Sequence, residues 1–208
     1  MPINYCRTPR LREELVANFY IKPYAHVRLL NGQTKKSATG DTLERSYYCF
    51  TYSNKNDSSD NGSFICGKHA GDHFCRLLNV PRLTMFNPLQ EEHNLGNRNA
   101  NGNGDMHVSW DTTAKQLYNA INIIIMCWDN ILPNSPLIEI KEKIERCYYR
   151  KPSQAQIKAI NTIISRDYMG RTIQDMLTEL RDQNEIREFE FTLLNEVLVS
   201  NNKISHFG

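Results

Sequence analysis

The sequence predicts an α+β fold, in which a small N-terminal module of helix, hairpin and knuckle plus helix precedes a C-terminal helical bundle. Three observations predict it. Residues after Pro23 alternate with period two, as a half-buried strand does. Residues 64–78 run from a short apolar strand through Cys66-Gly67-Lys68-His69 into a helix with Ala70, Phe74, Leu77 and Leu78 on one side. From Thr113 onward apolar residues recur three and four apart in capped segments, the period of helices that bury one face.

Taken in order, Thr8-Pro9 is a helix start, with Thr as N-cap and Pro at the first helical position. Leu11, Leu15, Val16 and Phe19 mark its buried face. Ala25, Val27 and Leu29 then alternate with polar neighbours, and Asn31-Gly32 supplies a hairpin dipeptide. Residues 42–52 form the next strand, dense in aromatics at Tyr47, Tyr48, Phe50 and Tyr52, a composition that also suits base stacking. Residues 53–62 hold no apolar side chain and read as a flexible loop.

Cys66, His69, His73 and Cys75 fall within ten residues, and thiolate and imidazole are the donors that tetrahedral zinc prefers. Cys49, Cys66 and His69 are the expected ligands, completed by Cys75 or by His73. Cys6 is a more distant alternative. Such a site staples a module that has little core of its own, because metal binding then contributes directly to folding. The strand, knuckle, helix order resembles the second half of a treble-clef zinc finger. The departure is at the first knuckle, where Cys49 stands alone. His69-Ala70-Gly71-Asp72-His73 is also similar to the HxxEH arrangement of inverzincin metalloproteases. That resemblance implies a zinc-dependent hydrolase using His69, Asp72 and His73, although Asp72 is a methylene shorter than the family's Glu and Gly71 weakens the helix.

Residues 90–107, rich in Asn and Gly, read as a flexible linker or loop. The expected domains are therefore 1–89, the zinc-stapled α+β module; 90–107, the linker; and 108–208, the bundle. Thr113 to Gln116 has a capping-box pattern, and Leu117, Ile121, Ile124, Ile125, Trp128 and Leu132 make the most hydrophobic helix. Ser135-Pro136, Ser153/Gln156 and Thr172/Asp175 start three more helices. Leu193, Leu194, Val197 and Leu198 suggest a last one, and residues 201–208 read as a loose tail.

Length and charge bound the function. A chain of 208 residues, 40% hydrophobic, can bury a core without disulfides, and its net charge of +2 does not by itself mark a nucleic-acid binder. The charge is uneven, however: the N-terminal quarter to Lys55 carries +5 and the remainder −3. Arg7, Arg10 and Arg12 around a helix start, with Lys35 and Lys36 near the hairpin, are the candidate phosphate contacts. Six cysteines without a secretory leader point to a reducing, cytoplasmic setting, and the apolar run 121–128 is far short of a membrane span. A P-loop, GxGxxG, GxSxG or HxE…PCxxC signature is not present. The expectation is a non-enzymatic zinc-binding interaction or scaffold subunit with nucleic acid, a nucleoprotein complex or a protein as partner. In size and layout it looks like the compact large subunits of some CRISPR effector complexes. A protein-binding adaptor without nucleic acid is the other non-enzymatic alternative.

Overall fold

Thr8 caps the first helix through its hydroxyl, which accepts the Leu11 N–H at 3.3 Å, and Pro9 opens α1 (Pro9–Asn18). The computed structural model describes residues 6–89, 109–129 and 131–208; the expected linker 90–107 lies outside them. Among the described residues the fold is mixed α+β, a three-stranded antiparallel sheet in the order β1-β2-β3 with seven helices.

The chain passes from α1 into β1 (Phe19–Arg28), several residues earlier than the alternation after Pro23 suggests. The break in periodicity is a register shift between Pro23 and Ala25, where a residue without an N–H interrupts pairing on an edge strand. β2 (Ser46–Asn54) is the central strand. The polar run expected to be a flexible loop is a hairpin turn into β3 (Asn61–Gly67), held by the Asp57 carboxylate, which accepts from the N–H and hydroxyl of Ser59. Between β1 and β2, Lys36 bridges Thr42 and the Ala38 N–H donates to the Ile65 carbonyl at 2.8 Å.

Alternation assigns the two faces of the sheet. One carries Ile21, Tyr48, Phe50, Phe64 and Cys66 and is covered by Leu15 of α1 and by Phe74 and Cys75 of α2 (Lys68–Leu77). Phe50, Phe64 and Phe74 lie with ring centroids 5.1 to 5.6 Å apart, each such pair adding about 1 kcal/mol beyond area burial. Tyr47, Tyr48 and Phe50 are all buried, so these rings offer no base-stacking platform. The other face carries Ala25, Val27, Tyr47 and Cys49, and Ile125, Trp128, Asp129 and Ile131 pack near it.

The chain divides into two compact units, Met1–Asn87 with Ile125–Ser135, and Pro88–Ile124 with Pro136–Gly208. The second is helical: α3 (Thr112–Cys127, of which the first part belongs here), α4 (Pro136–Arg146), α5 (Gln154–Ile164), α6 (Ile173–Arg181) and α7 (Thr192–Val199). Leu117, Ile121, Leu137, Ile157, Ile160 and Leu177 are fully buried along the apolar stripes. Both capping boxes, Ser153/Gln156 and Thr172/Asp175, form. The cap of α3 is Asp111, whose carboxylate accepts the Ala114 N–H at 2.9 Å, and Gln116 instead accepts from the Leu193 N–H. Residues 201–208 are no loose tail. Phe207 is fully buried, the His206 N–H donates to Asn161 and Asn195 donates to the Gly208 carbonyl. No helix among the described residues is long and apolar enough to cross a membrane.

Candidate functional site

Gly67 caps α2, and the helix turns the motif residues in different directions. Lys68 and His69 are exposed; Gly71, Asp72 and Cys75 are buried; His73 leans towards α1. There the Arg12 Nε donates to His73 Nδ1 at 2.8 Å and Arg12 Nη1 to the Cys6 carbonyl at 2.7 Å. Accepting at Nδ1 makes His73 a neutral ring with its proton on Nε2. Its pKa is held below the ordinary histidine value by burial first and then by the Arg12 charge.

Asp72 points to the sheet. Its carboxylate accepts from Tyr48 Oη at 3.0 Å and Lys68 Nζ at 2.7 Å, with Arg82 Nε at 3.7 Å. Burial raises its pKa, but these donors outweigh burial and leave it below the usual carboxylate value. The His26 ring stacks on Tyr48, centroids 4.1 Å apart, and its nitrogens meet Ser46 Oγ and the Leu83 carbonyl. A carboxylate satisfied in this way is a weak base, and it faces Tyr48 while His73 faces Arg12.

Of the other expected ligands, Cys66 and Cys75 share one buried cluster with Cys6, whereas Cys49 lies on the opposite face of the sheet near Tyr24. Burial pushes the Cys6 thiol up to about 12 and raises Cys66 and Cys75 as well, so all three are protonated at neutral pH. Among the described residues no group of three or more His, Cys, Asp or Glu side chains is gathered as a metal ion needs.

The five expected phosphate contacts are likewise dispersed. Arg7 pairs with Asp41 at 3.3 Å, Arg10 with Glu14 at 3.0 Å and Arg12 is buried. Lys36 is exposed. Lys35 has a side chain only 8% exposed, and its ammonium donates to Asp129 Oδ1 at 2.7 Å and to the Trp128 carbonyl at 3.2 Å.

Lys35 and Lys36 lead to the site that composition does not reveal. A groove of about 470 Å³ runs beside β3, walled by Lys35, Lys36, Ser63, Ile65, Tyr24 and Asp129. Because the Ile65 carbonyl turns outward to Ala38, strand alternation turns the N–H and C=O of Ser63 outward too, towards the groove. Behind it a space of about 10 Å³ is bordered by Lys35, Asp129 and Tyr47, whose hydroxyl is buried without a hydrogen-bond partner among the described residues. No motif singles out Asp129 or Ser63, and Tyr47 enters the sequence reading only as one of the aromatics of its strand. One signal existed for Asp129, an acid just past the C-terminal end of a helix, where the dipole disfavours negative charge unless a cation answers it.

No curated protein and no solved structure matches the chain. Residues 76–203, more than half of the sequence, match the family described as Uncharacterised conserved protein UCP028583, and the chain belongs to that family.

Proposed function

We propose that the chain is a non-enzymatic interaction subunit that takes an extended, acidic segment of a partner protein along the outer edge of β3. The observation that carries this reading is the outward backbone of Ser63 beside a groove of about 470 Å³, with the neighbouring Ile65 carbonyl already accepting a strand-like bond from Ala38. An added strand gains main-chain hydrogen bonds from such an edge and specificity from the groove beside it. Lys35 and Lys36 against the single carboxylate of Asp129 leave the groove with an excess of one positive charge, which favours an acidic occupant. The non-enzymatic half of the reading is supported by Asp72, fully engaged by Lys68 and Tyr48, and by protonated thiols at Cys66 and Cys75.

Nucleic acid has less support as the partner, since Arg7, Arg10 and Lys35 are each answered by an acid and Arg12 is buried. A zinc staple remains a second reading, supported only by the gathering of Cys6, Cys66 and Cys75 in one cluster, and metal analysis of the purified chain tests it.

The docking reading is tested by titrating the ¹⁵N-labelled chain with the capped peptide Ac-Val-Glu-Val-Glu-Val-NH2 and with its Lys counterpart. The Glu peptide is expected to shift the amides of Lys36, Ser63 and Ile65, and the Lys peptide to leave them in place. No shift with either peptide ends the reading. An oligonucleotide that moves the same amides with steep salt dependence assigns the groove to nucleic acid instead.

A further inference from the structure

The geometry points to a carboxylate seat at the inner end of the groove, with Lys35 as its charged anchor and Tyr47 as its second hydrogen-bond partner. This rests on the docking reading and names the group that the docked segment presents.

Lys35 is the first reason. A buried ammonium is unfavourable unless hydrogen-bonded and paired, and it offers three donors. The Trp128 carbonyl and Asp129 Oδ1 account for two of them. Asp129 is an unusual counter-ion for so buried a cation, because its own side chain is 80% exposed while that of Lys35 is 8% exposed. It reaches in from solvent, where water screens its charge, so its hold on Lys35 is weak for a contact of 2.7 Å. Asp129 therefore occupies the place of an incoming carboxylate and can be exchanged for one.

Tyr47 is the second and independent reason. Its side chain is 1% exposed and its hydroxyl has no hydrogen-bond partner among the described residues, a costly arrangement for a core position. It borders the same small space as Lys35 and Asp129, and about 10 Å³ is room for one oxygen atom and little more. A carboxylate that replaces Asp129 on Lys35 can set its second oxygen there and satisfy the hydroxyl. Tyr24 and Cys49 border the space as well, and burial keeps the Tyr24 phenol protonated, so it does not repel the anion.

The test uses the full chain and three capped probes: N-acetyl-Val-Val as the free acid, its C-terminal amide, and Ac-Val-Glu-Val-NH2. At least one carboxylate probe is expected to bind about ten-fold or more tighter than the amide, the scale of one charge-assisted hydrogen bond. Which one does so tells a chain terminus from an acidic side chain. Asp129→Asn should tighten that probe and Lys35→Met should erase its advantage. Tyr47→Phe should weaken it while raising the melting temperature, because the variant removes an unsatisfied buried hydroxyl. The last pair of readouts survives any folding defect in Lys35→Met and separates a seat from a merely structural tyrosine. The seat is overturned if the acids bind no better than the amide or not at all, if Asp129→Asn weakens them, or if Tyr47→Phe leaves binding unchanged. Equal shifts of Ser63 and Ile65 by acid and amide sink the seat and keep strand addition. An acid-specific response that leaves Ser63 still supports the seat and sinks strand addition.

Discussion

Asp72 and the two histidines near it are poised in the same sense with respect to acid. Burial holds His26 below the ordinary histidine value of about 6.5, despite the opposing Leu83 carbonyl and the Asp72 charge, and burial with Arg12 does the same at His73. Asp72 is depressed in spite of burial, by Lys68 and Tyr48. In each case the folded chain binds fewer protons than the unfolded chain, so stability rises with pH across the interval between the two values. The histidine contribution is present above the ordinary histidine range and is lost as pH falls below about 6.5; that of Asp72 is lost only below the ordinary carboxylate range, near 4. Melting temperature should therefore fall between about pH 7.5 and 5.5, and His26→Phe, which keeps the stack on Tyr48 but cannot titrate, should shrink that fall. A melting temperature that is flat or rises on acidification in this window contradicts the assignment.

At the scale of elements, α2 is placed by a glycine. A Cβ on Gly71 would lie 2.2 Å from Tyr48 Cδ2 and 2.8 Å from Tyr48 Cβ, so the helix approaches the sheet more closely than any other residue allows. Helix propensity alone says that Gly71→Ala stabilises by about 1 kcal/mol, whereas overpacking against a buried ring costs about 1 to 3 kcal/mol or more. The two effects have opposite signs, and the contact distance decides between them. Urea denaturation should show Gly71→Ala destabilised by about 2 kcal/mol, and a neutral or stabilised variant would mean that α2 does not sit on Tyr48. The same residues explain what could be read from the sequence. Thr8, Ser153 and Thr172 act within one helical turn, so their caps were legible, as was the alternation of β1 after its bulge. The faces of Cys49 and Cys66 depend on the pairing Tyr48↔Cys66 and Cys49↔Ile65, a long-range register that no local pattern encodes. Residues 201–208 read as a loose tail for a similar reason. Its polar composition hides Phe207, which is held in place through Asn161 and Asn195 on two other helices.

For the whole molecule the decisive fact is that the first unit is discontinuous. It consists of Met1–Asn87 together with Ile125–Ser135, so a chain cut at the Asn- and Gly-rich stretch loses part of that unit. Ile125, Trp128 and Ile131 lie with Tyr47, Cys49 and Ile65 around the space behind the groove, on the sheet face that α1 and α2 do not cover. Without residues 125–135 that face is exposed to water, and Lys35 loses both Asp129 and the Trp128 carbonyl. Burial of each large apolar side chain is worth about 1.5 to 3 kcal/mol, and a small domain has little margin beyond a few such contributions. A fragment of residues 1–89 should therefore bind hydrophobic dye and melt far below the full chain, with its β-sheet signal retained only in part. Adding residues 109–208 in trans should restore a cooperative transition, because it returns residues 125–135. If the fragment 1–89 melts cooperatively at the temperature of the full chain, then residues 125–135 contribute nothing to the sheet, and the Lys35 seat loses its inner wall along with them.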